Sequence, residues 1–319
     1  MMRVGVHSFF YFLSSSALLV LNKVAITAVP NASALLLIQI SSTTLIVSVV
    51  GSVISRKINF APSFTVVKAY TSVAVVFLAT IYSNFRLIHA IGVNPFIVLR
   101  CTTPLIVSTF DWVFLGRELP KGRSLLALMG ILVSGAAYAW PKVFSKADTS
   151  NASDFEGMFW CSCWLVSFTL DMVYIKHVVD AHECNGLERT LYQNGLSLLF
   201  LMVLNFSPLE TTNAFENIGT KSFKVHTALL LSCVAGTVLS FTGMTLRSEL
   251  SATVFTVLGI VCKMASSLLN ELLVEPEKSL HSSLCIVSAI LCSSLYQQSP
   301  LRTVKCPTAS PPMYNQLVP

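Results

Sequence analysis

The chain is organised by ten apolar blocks, each close to the thickness of a membrane and each set off by short polar punctuation. They fall at 8–29, 33–54, 64–85, 92–115, 123–141, 157–178, 190–206, 226–246, 251–273 and 280–297. A stretch of about 20 apolar residues spans a hydrocarbon core, and a helix there closes all its backbone hydrogen bonds within itself. The blocks therefore predict an all-α, polytopic membrane protein of about ten transmembrane helices. Composition agrees. Of the 319 residues, 54% are hydrophobic and 11% are charged, against roughly 25% charged in soluble domains. That is too few charges to cover a water-facing globule.

The punctuation is Pro30-Asn31, Arg56-Lys57, Gly116 to Pro120 and, longest in the first half, Lys142 to Glu156. This last break divides the chain into a five-helix half, 1–150, and a second five-helix half, 151–300. A Pro-rich tail, 301–319, is expected to be disordered. The even split suggests the 5+5 inverted repeat of secondary transporters, although the halves resemble each other only weakly in sequence. The first block lacks a small-residue cleavage site and reads as a retained helix. No Arg/Ser-rich, acid-poor leader precedes it, which counts against plastid or mitochondrial import.

The net charge of +6 does not point to a nucleic-acid partner, because the Lys and Arg residues stand in short loops as topology signals do. With a cytosolic N-terminus, twelve fall on the cytosolic side: Arg3, Arg56, Lys57, Lys68, Arg117, Lys121, Arg123, Lys176, Arg189, Arg247, Arg302 and Lys305. The opposite side receives Arg86, Lys142, Lys146, Lys221, Lys224 and Lys278. Both termini are therefore expected in the cytosol, which makes Asn151-Ala152-Ser153 a lumenal glycan acceptor.

Catalytic signatures are missing: there is no HExxH, Walker loop or GxSxG. Most of the nine cysteines lie inside apolar blocks without CxxC spacing, as small buried hydrophobes do. No enzyme, metal or cofactor is expected. Lacking an ATP-binding domain, transport would run by exchange or on a gradient.

Charges inside spans point to function, since each costs at least about 2.5–3.5 kcal/mol in hydrocarbon. Lys23, Arg100 and Lys263 qualify as cations, Asp111 and Asp171 as acids. An interior with more cations than acids suits a phosphate or carboxylate, and Arg binds phosphate through two parallel hydrogen bonds. Lys23, near a helix end, also fits a side chain snorkelling to the interface. Asp171 is expected to pair with Lys176 or with a neighbouring helix. Thr190-Leu191-Tyr192-Gln193-Asn194 adds amides able to read a nucleobase edge or to bond between helices. Gly130, Gly135, Gly236, Gly243 and Ser251-Ala252 permit close helix contacts, including those of a homodimer.

The chain resembles the nucleotide-sugar transporters of the drug/metabolite transporter superfamily, and most closely the plant Golgi GDP-sugar branch related to GDP-mannose transporters. The likeness covers nearly the whole length: Asn22-Lys23 ending the first span, Asn84 near the end of the third, Tyr296-Gln297-Gln298-Ser299 closing the tenth. The family's FYNN appears as Leu191-Tyr192-Gln193-Asn194, and its GALNK as Gly259-Ile260-Val261-Cys262-Lys263. The resemblance implies Gln193 and Asn194 toward the base with Tyr192 packing beside them. It implies Gly259 at a close backbone approach, Lys263 on phosphate and Phe255 lining the sugar pocket. Arg100 and Lys23 would add positive potential. Ile260 and Cys262 depart from the motif, and a branched Ile260 is expected to crowd the sugar.

The resemblance further implies alternating access at the Golgi membrane, with cytosolic nucleotide sugar exchanged for lumenal nucleoside monophosphate. Two other readings stand beside it. A phosphorylated-metabolite translocator of the same superfamily would carry a Lys-Arg pair on the ninth helix, where Lys263 is followed by Met264. The other is a non-transporting membrane scaffold.

Overall fold

The structure, a computed structural model, describes residues 2–25, 32–55, 58–91, 93–144, 153–204, 223–273 and 280–302. Ten α-helices lie among them: α1 (Met2–Ala25), α2 (Ala32–Val49), α3 (Phe64–Ile91), α4 (Val93–Phe114), α5 (Arg123–Phe144), α6 (Ser153–Ala181), α7 (Gly186–Leu204), α8 (Phe223–Glu249), α9 (Ala252–Leu273) and α10 (Leu280–Leu295). A π-helical turn, Val50–Ser55, continues α2. Each expected block has its helix, and the protein is all-α and multi-pass. The Asn151-Ala152 part of the glycan acceptor and tail residues 303–319 lie outside the described residues.

Helices α1, α2, α3, α4, α6 and α8 contain stretches long and apolar enough to cross a membrane, and α5, α9 and α10 contain shorter apolar ones. The polar exception is α7, which carries Glu188, Arg189, Gln193 and Asn194 along its first half.

Most of the large contacts cross the halves: α1 with α8, α3 with α6, α5 with α10, α2 with α7 and α8, α3 with α7, and α4 with α9, while α4 with α5 is the main pair within one half. Neither half closes a core alone. Leu87, Phe96, Trp164, Phe168, Leu246 and Phe255 form one cluster, and Cys101, Leu128, Ile131, Val257, Ile260 and Ile286 another. Each joins helices from both halves.

Helix α5 reaches its neighbours through glycines. A Cβ at Gly135 would run into the Cys101 side chain of α4, and one at Gly130 into Cys292 of α10. Gly243 faces Tyr11, and Ser251 and Ala252 are buried. These small residues serve packing inside the chain, so a homodimer draws no support from them.

The α4–α5 link is held by the chain that follows α10. Gly116 and Gly122 take φ of 66° and 52°, a backbone that favours glycine. Between them Arg117 forms an antiparallel bridge with Leu301. Glu118 N donates to Pro300 O at 3.0 Å and Arg302 N to Gly116 O at 2.8 Å, so the chain beyond α10 begins as an added strand on this link.

Acids and cations close two further joints. Asp111 on α4 is buried, and its Oδ2 accepts Thr253 N at 2.9 Å and the Thr253 hydroxyl. It caps the start of α9, where an acid meets unpaired N–H groups and the positive helix end. Lys176 on α6 is 5% exposed and pairs with Asp180 at 2.8 Å. The expectation that Lys176 and Arg247 are loop charges is thus corrected: both are on helices and ion-paired. They stand near helix ends, where a linear reading assigns charges to loops.

Gly135→Val should destabilise the bundle by about 1–3 kcal/mol through overpacking against Cys101, with Cys101→Ala relieving part of the loss. Thermal unfolding in detergent measures this, and a Gly135→Val protein as stable as wild type would contradict the packing.

Candidate functional site

A cavity of about 320 Å³ lies between the halves, lined by residues of α1, α2, α3, α6, α7, α8 and α9. Small-molecule sites begin at roughly this size. One wall is aromatic and apolar: Tyr11, Phe77, Met172 and Phe255. The Tyr11 and Phe255 rings lie 5.5 Å apart. The opposite wall is polar: Gln39 and Thr43 on α2, Gln193 and Asn194 on α7, Ser240 on α8.

The amides differ in how they are committed. Asn194 Nδ2 donates to Thr190 O at 2.8 Å and to Ser240 Oγ at 2.7 Å. Both donors are spent inside the bundle, so what Asn194 has left to offer is the acceptor Oδ1. Gln39 Nε2 donates to Asn22 Oδ1 at 2.7 Å and to Ser232 Oγ at 3.2 Å, tying α1, α2 and α8 at one end of the cavity. Gln193 lines the cavity, and none of the hydrogen bonds seen among the described residues involves its side chain. It therefore brings a donor and an acceptor to a ligand.

The cations stand along one side of α9. Phe255, Gly259 and Lys263 are four residues apart and share a face. The Arg247 guanidinium lies 4.8 Å from the Phe255 ring centre. A Cβ at Gly259 would meet only Arg100 Nη2, at 4.0 Å. Lys263 shares with Arg100 the lining of a gap of about 20 Å³, room for about one water. Lys263 itself keeps an exposed side chain. Three cations thus run along about 12 Å of α9.

Arg100 is the least compensated of them. Its guanidinium sits 5.3 Å from the Phe168 ring and 6.0 Å from that of Phe96, and its Nε is buried without a hydrogen-bond partner. The acids of the spans are engaged elsewhere: Asp111 at the start of α9, and Asp171 with Arg247 at 2.7 Å. Asp171 therefore pairs with a neighbouring helix and not with Lys176. The expected excess of positive charge is present around α9.

A search of curated proteins finds three plant relatives of nearly full length, all from Arabidopsis thaliana. GDP-fucose transporter 1 is 33% identical over 91% of this chain and 84% of its own length. GDP-mannose transporter GONST3 is 28% identical over 94% and 78% respectively, and GDP-mannose transporter GONST1 is 20% identical over 92% and 87%. The chain belongs to the nucleotide-sugar transporter family. No family model matches it. A solved crystal structure 11% identical in sequence superposes with a TM-score of 0.64 over 92% of this chain and 96% of that one, which shows the fold alone.

Of the residues that the family resemblance singles out, Gln193, Asn194 and Phe255 meet in the cavity, and Arg100, Gly259 and Lys263 meet beside it. Tyr192 does not join them. One residue before Gln193, it is turned away by about 100°. Its hydroxyl donates to Asn59 O at 2.5 Å and its ring meets Tyr70 edge-on at 5.5 Å, so it secures α7 to the segment before α3. Lys23 lies on α1, and its side chain is outside the described residues. Gly259 is close to Arg100 without being forced by backbone contact. Ile260 is 2% exposed in the Cys101, Ile131 and Ile286 cluster; it lines the small gap with Arg100 and Lys263 rather than the larger cavity. Cys262 is buried as well.

Lining residues such as Tyr11, Gln39, Thr43, Phe77, Met172 and Ser240 escaped the sequence reading, and Arg247 entered it only as a topology charge. For Arg247 a signal existed, because Ser240, Gly243 and Arg247 repeat at three and four residues along one helix face.

Tyr192→Phe should cost about 1 kcal/mol of stability by removing the bond to Asn59. Gln193→Ala, which breaks no internal bond, should stay within about 0.5 kcal/mol of wild type. Chemical or thermal unfolding in detergent compares them, and equal losses would contradict these assignments.

Proposed function

We propose that this chain carries a GDP-sugar across a Golgi membrane in exchange for GMP, by alternating access around the cavity between its halves. The observation that carries this reading is Arg100: a membrane-embedded guanidinium, its Nε buried without a partner, beside Lys263 and with the span acids engaged elsewhere. Such a charge is costly in a bilayer and marks a substrate path. A pyrophosphate between Arg100 and Lys263 would supply the missing negative charge. At the other end, the free amide of Gln193 and the acceptor of Asn194 suit a guanine, whose edge presents both donors and an acceptor. Tyr11 and Phe255 offer ring faces between the two.

The names of the relatives support the guanine nucleotide, and the family resemblance supports the Golgi membrane and the exchange. The inverted 5+5 repeat belongs to this proposal too. Its support is the neighbour pattern: advancing each helix by five maps α1–α8 onto α6–α3, and returns α2–α7, α4–α9 and α5–α10 to themselves. The basic side of the loops supports cytosolic termini. Lys23 would add positive potential near the lumenal end of α1.

Exchange in proteoliposomes preloaded with GMP or with UMP, challenged with labelled GDP- and UDP-sugars, tests the reading. The expected result is GDP-sugar uptake driven by GMP and reduced at least about tenfold in Lys263→Ala and Arg100→Ala, the scale of one lost charge-assisted hydrogen bond. UMP-driven uptake of a UDP-sugar would remove the guanine assignment. Exchange of sugar phosphate against inorganic phosphate would favour a phosphorylated-metabolite translocator, and no uptake by folded protein would favour a scaffold.

A further inference from the structure

Arg247 is the charged residue among the described residues that line the cavity, and it is not free. Its Nη2 donates to Asp171 Oδ2 and its Nη1 to the Asp171 carbonyl, both at 2.7 Å, while its planar face covers the Phe255 ring. The pair joins α8 to α6 and is nearly excluded from solvent, with side chains 12% and 5% exposed. The acid is only half satisfied, because Asp171 Oδ1 is buried with no hydrogen-bond partner.

The place of Arg247 relative to the amides matters. Ser240, the hydrogen-bond partner of Asn194, stands seven residues earlier on the same face of α8. That is about 10 Å along the axis, on the order of the reach from a purine base to its phosphates. Tyr11 lies within electrostatic reach of Arg247, Arg100 and Asp171 together. A single carboxylate thus neutralises part of a cluster that is otherwise cationic.

We propose that Arg247 is a phosphate-binding residue and that Asp171 is its resident counter-ion, displaced from Nη2 when the nucleotide phosphate arrives. This rests on the nucleotide-carrier reading above. A phosphate on the same guanidinium would sit next to the Asp171 carboxylate, and like charges that close repel. The Asp171 carbonyl keeps Nη1 in place while Nη2 changes partner, so the arginine stays oriented over Phe255. Exchange of the carboxylate for phosphate loosens the α6–α8 joint only when substrate is bound. When the site empties, Asp171 returns and no bare arginine is left in the cavity.

Competition gives the two residues opposite signs, which a structural ion pair would not. The measurement is GMP binding to purified protein by ligand-dependent thermal shift and by equilibrium titration, which also reports folding. Arg247→Gln should weaken GMP binding by about tenfold to a hundredfold, the scale of a lost charged hydrogen bond. Asp171→Asn, which keeps an acceptor for Nη2 without the charge, should tighten it by about threefold to tenfold. Should Arg247→Gln fail to fold, Arg247→Lys retains the charge without the planar fork and should still weaken binding. Weaker binding in both Asp171→Asn and the arginine variant would overturn the competition and leave the pair structural. Unchanged affinity in the arginine variant would overturn the phosphate role. Wild-type protein that is folded and binds no GMP would overturn the guanine-nucleotide reading itself, and this inference with it.

Discussion

An ion in hydrocarbon has to be paired, capped onto a helix end or put to use, and the arrangement of this bundle follows from how each of its charges meets that demand. Asp111 is satisfied by the first turn of α9. That bond sets the start of α9 against the end of α4, the two helices that carry Lys263 and Arg100. Lys176 is satisfied within α6 by Asp180. Asp171 is taken by Arg247. Among the described residues, Arg100 and Lys263 line one small gap whose lining holds no carboxylate. Two like charges so placed repel, and the bundle tolerates them at a cost that an anionic ligand would offset.

The cavity follows from the way the halves share their cores. Because α1 packs on α8, α3 on α6 and α4 on α9, every wall of the central space combines helices from both halves. The polar wall depends on α7, the least apolar of the helices. Its Tyr192 and Asn194 are fastened to the bundle through Asn59 and Ser240, and that anchorage leaves Gln193 aimed at the cavity with its amide unspent. One side chain held in reserve between two that are committed is the arrangement expected of a recognition residue.

Much of the fold was legible in the sequence, because the length and apolarity of a membrane helix are properties of one segment. All ten blocks have a helix among the described residues. The errors have a common origin. Lys176 and Arg247 were taken for loop charges, since apolar runs fade before helices end. Gly130 and Gly135 make the close helix contacts expected of them, receiving Cys292 and Cys101 of the same chain. Tyr192 stands beside Gln193 in the motif, although consecutive residues on a helix point about 100° apart, and it meets Asn59 and Tyr70 instead of the cavity.

By itself, then, the sequence determined the class of the protein and the order of the helices among its described residues. Each of these is counted along the chain: apolar length and the polar punctuation between apolar blocks. The tertiary structure alone decided which charge meets which. That Asp171 takes Arg247, that Asp111 caps α9, and that Arg100 is left without an acid depends on the rotation and depth of helices far apart in sequence. Those are set by how complete helix faces pack together, with Cys101 against Gly135 and Phe255 beneath Arg247, and no local run of residues carries that information.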